Sequence, residues 1–184
     1  MAWDEVLAFL DRRSGLLDGV VFSGGEPTRS LGLAGAVVDV RSRGFTVGIH
    51  SGGAFPNRLA PLLDVVDWVG LDVKALPEDY PEVVGRPGGG ERAWTSLGLV
   101  LASGVEHEVR TTIHPGSPAT RRLPEIATRL KSAGVRAFAL QQARGRGARS
   151  GFQAQAPGWD HHVLDLAEQV RSLGFERFEL RRAD

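Results

Sequence analysis

The residues Ser23-Gly24-Gly25-Glu26-Pro27-Thr28 put two glycines, a carboxylate and a proline into one turn. They follow a short apolar stretch, Val20-Val21-Phe22, and precede a helical pattern from Leu31 to Val40. Glycine leaves the main chain bare, so a ligand can approach Gly24 and Gly25 where any side chain would block it. Pro27 has no N–H to give to a ladder, and the strand stops there. Taken alone, the turn also reads as an ordinary strand-to-helix connection. Other places carry groups of the same kind: His50-Ser51-Gly52-Gly53, Asp72-Val73-Lys74, the stretch from Arg110 to His114, and Gln141. Asp72 and Lys74 are two apart, so on a strand they share a side and can receive a zwitterion or pair with each other. Arg110 brings the forked donor set that suits a carboxylate.

The elements that must position these groups follow from one recurring phrase: a helix end, a glycine, then an apolar-rich strand. It occurs at Arg12-Arg13-Ser14-Gly15-Leu16, Arg41-Ser42-Arg43-Gly44-Phe45, Ala102-Ser103-Gly104-Val105, Lys131-Ser132-Ala133-Gly134-Val135 and Arg171-Ser172-Leu173-Gly174-Phe175. Glycine just past a helix supplies the left-handed residue that turns the chain back. Between these phrases run apolar stripes at helical spacing: Leu33, Val37 and Val40; Trp94, Leu97 and Leu101; Leu123, Ile126 and Leu130; Val163, Leu166, Val170 and Leu173. Strands are expected near 19–23, 45–50, 66–73, 106–113, 136–141 and 175–180. Alternation of this kind implies a parallel sheet covered by helices. Pro77 to Arg92 and Gln142 to Gly158 read as loops, the second carrying Arg144, Arg146 and Arg149.

The strand faces narrow the architecture. Val69, Leu71 and Val73 oppose Gly70, Asp72 and Lys74, and Thr46, Gly48 and His50 share a side. Glu106, Glu108, Arg110, Thr112 and His114 oppose His107, Val109, Thr111 and Ile113. Gln141 sides with Ala137 and Ala139, and Arg177, Glu179 and Arg181 oppose Phe178 and Leu180. A doubly wound sheet buries both faces and reads as continuous Val, Ile and Leu. A small closed barrel fills its interior with branched apolar residues. One small or charged face per strand fits instead an open, partly curled barrel around a polar cavity, with its chemistry at the carboxyl ends of the strands.

Composition limits the partners. The 184 residues hold 22 basic and 22 acidic side chains, so the formal charge is zero and no long-range attraction to nucleic acid or an anionic membrane is expected. No apolar run approaches the ~20 residues of a membrane span. The opening Met1-Ala2-Trp3-Asp4-Glu5 carries no secretory pattern, and a cytoplasmic location is expected. Zero cysteines rule out disulfides and thiolate metal sites within the chain. His161 and His162 are adjacent and would diverge on a helix, and Gly85-Arg86-Pro87-Gly88-Gly89-Gly90 lacks the Lys-Ser/Thr of a P-loop.

In these features the chain resembles radical S-adenosylmethionine enzymes. More narrowly, it is similar to the activating proteins of anaerobic ribonucleoside-triphosphate reductase, which serve a glycyl-radical enzyme. The resemblance runs from Leu16 to about Gln142. It rests on Val21 to Thr28, on Gly48-Ile49-His50-Ser51-Gly52-Gly53-Ala54-Phe55-Pro56, on Val66 to Lys74 and on Val109-Arg110-Thr111-Thr112-Ile113-His114-Pro115. It implies an α/β fold, a partial, splayed (β/α) barrel of the radical SAM type, with residues 1–184 as a single truncated core domain lacking the first strand. It implies S-adenosylmethionine as cofactor, cradled by Gly24, Gly25, Glu26 and Pro27, with His50 and Ser51 lining its methionine moiety. Asp72 and Lys74 would meet the carboxylate side or the ribose. Arg110 and Gln141 would lie near the sugar, the adenine or the substrate loop, and Arg110 and His114 would contact substrate. The implied partners are a glycyl-radical enzyme of the anaerobic ribonucleoside-triphosphate reductase type and an electron donor. The family reaction is reductive cleavage of the sulfonium by a [4Fe-4S] cluster, after which the adenosyl radical takes a hydrogen from a partner glycine.

The chain departs from the family at one point: the C-x3-C-x2-C loop that binds the cluster is absent, and without thiolates there is no cluster. Three readings follow. The chain is the carboxyl-terminal part of an activase whose start lies upstream, or a non-catalytic module that binds S-adenosylmethionine or a similar nucleotide. In the third, it is a βα enzyme of lyase or aldolase type in which Lys74 forms a Schiff base.

Overall fold

The glycines of the recurring phrase set the period of the fold. Gly15, Gly44, Gly104, Gly134 and Gly174 have φ of +74°, +83°, +74°, +99° and +71° in the computed structural model, which describes residues 2–145 and 152–183. Each stands between a helix and the strand that follows it, so the phrase is an αβ connection at every occurrence.

Six parallel strands form one sheet in chain order: β1 (Gly19–Phe22), β2 (Thr46–Ser51), β3 (Trp68–Asp72), β4 (Glu106–Ile113), β5 (Ala137–Gln142) and β6 (Arg177–Arg181). The helices are α1 (Trp3–Asp11), α2 (Leu33–Arg41), α3 (Pro56–Leu59), α4 (Tyr80–Val84), α5 (Gly89–Ser103), α6 (Pro118–Arg121), α7 (Leu123–Ser132) and α8 (Trp159–Arg171). Successive βα units of one hand, added always at the same edge, curl a twisted sheet toward a barrel. β1 and β6 do not pair with each other, so the barrel stays open.

The predicted stripes form its outer core. Leu33, Val37, Val40, Leu97, Leu123, Ile126, Leu130, Val163, Leu166 and Val170 are all buried against Val47, Ile49, Val69, Leu71, Val109, Ile113, Phe138 and Leu140. Each such side chain contributes about 1.5–3 kcal/mol. Pointing the apolar set outward leaves the small or polar set of β2 to β6 facing inward, where the site lies, with Val21 of β1 on the same side.

The segment Pro77 to Arg92 is not the loop that its prolines and glycines suggest. Pro77 opens a 3-10 turn (Pro77–Asp79), Pro81 sits in the first turn of α4, and α5 begins at Gly89. Proline costs nothing in a first turn, where its missing N–H would be unpaired anyway. A Cβ at Gly90 would lie 2.2 Å from the Pro77 carbonyl oxygen, so glycine at that position lets α5 pack directly on that turn. In the second loop Arg144 is exposed, whereas Arg146 and Arg149 lie outside the described residues. Among the described residues no helix is long and apolar enough to cross a membrane.

Candidate functional site

The turn after β1 presents its main chain to open space. Gly24 and Gly25 have φ of +88° and +49°, and a Cβ on either would meet no atom within 4 Å. Their peptide groups have no hydrogen-bond partner among the described residues. Glu26 turns the other way. Its Oε1 accepts from Thr28 Oγ1 at 2.6 Å, Thr28 N–H at 3.2 Å and Ser51 Oγ at 2.9 Å, and its Oε2 from Gly52 N–H at 2.8 Å. The carboxylate therefore ties the turn to the end of β2 and leaves the glycines outermost.

Ser51 ends β2. It follows His50 by one residue, so the pleat sends it to the opposite, helix-covered face, where it is 1% exposed. Its hydroxyl donates to Glu26 and accepts from Gly53 N–H at 3.0 Å. Ser51 thus positions Glu26. Ser96 on α5, which sequence reasoning did not single out, continues the chain by donating to the Gly53 carbonyl at 2.9 Å.

The inner wall is built by Arg110. Its Nε donates to Asp72 Oδ1 at 2.8 Å, its Nη1 to His50 Nε2 at 3.1 Å and its Nη2 to the Gly70 carbonyl at 3.5 Å. Register explains the meeting, because Asp72 is opposite Arg110 and His50 opposite Gly70. Burial and the adjacent Arg110 charge lower the His50 pKa below its ordinary value, which keeps Nε2 free to accept. Trp68 closes the floor, with its ring centroid 5.3 Å from that of His50. A Cβ at Gly70 would lie 2.5 Å from Trp68 Cη2 and 2.9 Å from His50 Cδ2, so glycine there makes room for both rings. Trp68 also went unremarked in the sequence; its signal was the small Gly48 and Gly70 on the same inward face.

Lys74 follows β3 at the rim. A Cβ at Gly52 would sit 3.5 Å from Glu26 Oε2 and 3.6 Å from Lys74 Cε, which places the lysine stem beside the turn. The Lys74 N–H donates to Tyr80 Oη at 3.1 Å. Burial pushes the Tyr80 pKa up to about 12, so the phenol stays protonated. Gly25, Glu26, Asp72, Lys74 and Tyr80 share the wall of one cavity of about 570 Å³. Lys74 also lines a second cavity of about 400 Å³ with Thr112, His114 and Phe152. His114 lies edge-on to Phe152, with centroids 4.9 Å apart. Gln141, half-buried, stands in register between Thr112 and Arg181, three strands away from β2. Across that side, Arg181 donates twice to Glu108 at 2.8 Å and once to Glu179 at 2.6 Å.

The cofactors implied by the resemblance fare differently. The chain has no cysteine, and no group of three or more His, Asp or Glu among the described residues is placed to hold a metal ion. The residues present do not fit a [4Fe-4S] cluster. An aminoacyl nucleoside is another matter: open peptide groups, a carboxylate and an ammonium around one cavity suit a zwitterionic ligand.

The model of the radical SAM superfamily matches residues 1–121. No curated protein matches the chain in sequence. Among solved structures, a domain of pyruvate-formate lyase-activating enzyme from Bacteroides vulgatus superposes with a TM-score of 0.70 at 13% identity, covering 89% of this chain and 99% of that one. Streptococcus suis SuiB bound to S-adenosylmethionine gives 0.72 at 10% identity, over 98% of this chain and 43% of SuiB. A radical SAM methyltransferase from Sphaerobacter thermophilus gives 0.70 at 17% identity, over 97% of this chain and 57% of that one. The likenesses of structure agree in fold with the open six-stranded barrel, and the family match covers the glycine turn and the first four strands that carry the site: the chain belongs to the radical SAM superfamily.

Proposed function

We propose that this chain is the S-adenosylmethionine-binding core domain of an activase for a glycyl-radical enzyme of the anaerobic ribonucleoside-triphosphate reductase type. One observation carries the reading: the peptide groups of Gly24 and Gly25 stand open, Gly25 and Glu26 on the wall of the cavity that Asp72 and Lys74 line, and Gly24 and Glu26 on that of a neighbouring cavity of about 650 Å³. In this reading backbone groups of Gly24, Gly25 and Glu26 receive the amino group of the methionine moiety, with Pro27 ending the strand. Lys74 meets the carboxylate and Asp72 the ribose side. Arg110 holds Asp72 and His50 in place from beneath, and Ser51 holds Glu26. His114 and Gln141 stand toward the substrate side. The target class is supported by the order of the motifs and by a structural neighbour that is itself a domain of a pyruvate-formate lyase-activating enzyme.

S-adenosylmethionine, where bound, would supply a sulfonium open to one-electron reductive cleavage, with methionine as the leaving group. These 184 residues hold no thiolate with which to bring that electron, so their own part is to bind, orient and exclude water. Calorimetry with S-adenosylmethionine on the 184-residue chain tests the reading. Saturable one-to-one binding is expected, weakened at least about ten-fold in Gly24→Ala, whose left-handed φ a side chain strains, and in Lys74→Ala, which removes a charged hydrogen bond. A folded sample that gives no heat overturns it.

The missing thiolates also favour a second reading, a module that binds S-adenosylmethionine without chemistry. The two part on the partner. The activase reading expects a saturable complex with a glycyl-radical enzyme, and the module reading expects none.

A further inference from the structure

The cavity beside the glycine turn carries charge of unequal availability. Its two carboxylates are engaged inside the protein: Glu26 accepts from Thr28, Ser51 and Gly52, and Asp72 accepts from Arg110. Its three cations are Lys74, Arg86 and Arg92. Among the described residues none of the three forms an ion pair, although thirteen pairs occur elsewhere. The segment that carries Arg86 also holds Glu78, Asp79 and Glu82, and these bind Arg121 and Arg122 beyond the cavity. Those three carboxylates are thus held away from the cavity that Arg86 and Arg92 line, and Glu91, next to Arg92, is not on its wall. With both carboxylates hydrogen-bonded within the protein, the three unpaired cations leave this wall a local excess of positive charge, which attracts anions. Guanidinium forks match the oxygens of phosphate and carboxylate.

We infer that Arg86 and Arg92 form an oxyanion subsite, which takes a phosphate or carboxylate group of the molecule handled beside S-adenosylmethionine. The pairing with that cofactor rests on the function proposed above, in which Lys74 is occupied by the methionine carboxylate; the two arginines are then left for a second anion. Phe55 and Val84 add apolar surface to the same wall, which suits an anion carried on an organic body.

Both arginines are exposed, so the double variant Arg86→Ala/Arg92→Ala is expected to fold. Calorimetry at low salt with pyrophosphate, ATP and malonate, each with and without saturating S-adenosylmethionine, provides the test. At least one of these anions binds the native chain, and the double variant weakens it about ten-fold or more. Arg121→Ala, which changes a cation outside the cavity, leaves binding within about two-fold. Preference for pyrophosphate and ATP over malonate assigns the subsite to phosphate, and the reverse assigns it to carboxylate. Equal anion binding by the native chain and the double variant, or none in a sample that binds S-adenosylmethionine, overturns the subsite alone. Arginine-dependent anion binding in a sample that does not bind S-adenosylmethionine keeps the subsite and overturns the cofactor reading.

Discussion

Arg110 and Arg122 both gather carboxylates, and they do so in opposite surroundings. Arg110 lies on the inner wall with a side chain 8% exposed, and it has one carboxylate, one imidazole and one distant carbonyl as partners. Arg122 lies at the start of α7 with 32% of its side chain exposed, and it reaches Glu78, Asp79 and Glu125 at 2.7–3.2 Å. Counted by partners, Arg122 is the stronger node. Counted by solvent, it is the weaker one. Water competes for every bond it makes, and salt screens what remains. Around Arg110 water replaces less: the guanidinium is buried and His50 half-buried, although Asp72 keeps 36% of its side chain exposed, and a buried group that loses its partner keeps the cost of leaving water.

Replacement of Arg110 tests that difference most severely. Arg110→Ala leaves Asp72 and His50 without their partner and opens a void on Gly70. We expect a loss of about 2–4 kcal/mol in urea unfolding, the upper part of the buried-pair range being reduced because Asp72 keeps some contact with water. S-adenosylmethionine binding should fall with it. A loss no larger than that of Arg122→Ala would show that the inner wall is already wet and that burial does not separate the two.

Glu26→Gln is a milder break at the rim. The amide keeps one oxygen for Thr28 and Ser51, but its NH2 then faces Gly52 N–H, donor against donor. The expected cost is about 1–2 kcal/mol, read as a lower urea midpoint. Gly52 should show faster amide exchange than in the native chain. Unchanged exchange at Gly52 would mean that the turn is held to β2 by other bonds.

His50 extends the comparison to pH. Burial first, and the Arg110 charge second, lower its pKa from 6.5. Below pH 6.5 the unfolded chain therefore binds a proton that the folded chain refuses. Stability present above that pH declines as pH falls toward the folded pKa. Protonation also removes the lone pair that Arg110 uses. Titration of the His50 ring by NMR should show a midpoint below 6.5. Arg110→Met should raise it only part of the way, since burial, the larger cause, remains. A midpoint at or above 6.5 in the native chain would contradict the bond between Arg110 and His50.

Much of this wall was legible as period-two alternation. Asp72, Lys74, Glu108, Arg110 and Arg181 all fall on the inward side that the pattern assigns them, because a pleated strand leaves no other choice once its apolar set is buried. Ser51 obeys the same rule, and its adjacency to His50 already placed it on the other face. What the pattern does not carry is distance between strands. Arg181 meets Glu108, 73 positions away, because β4 and β6 flank β5 in the sheet, and strand order leaves no local trace in the chain. Trp68 lies over Gly70 for a related reason: the register that sets small residues beside it is a property of paired strands. Helix α4 and the first turn of α5 were hidden by Pro81 and by the Gly88 to Gly90 run, in which Gly88 takes a left-handed φ of +70°, Gly89 packs on Val84 and Gly90 on Pro77.

Arg122→Ala is the smallest of these changes and the most informative about the surface. The side chain's bonds depress the pKa of Glu125, and they help to depress that of Glu78. Such shifts show local attraction, but these groups stand in water, which replaces the lost bonds. A shift in Tm of no more than about 2 °C is expected, and it should vanish in ~1 M salt. The bonds to Glu78 and Asp79 nevertheless join α7 to the turn that precedes α4, and α4 walls the cavity with Arg86. Faster amide exchange confined to residues 77–84, at nearly constant Tm, would show that this cluster fixes the position of the cavity wall without stabilising the fold. A drop in Tm comparable to that of Arg110→Ala would instead make partner number, and not burial, the quantity that matters in this barrel.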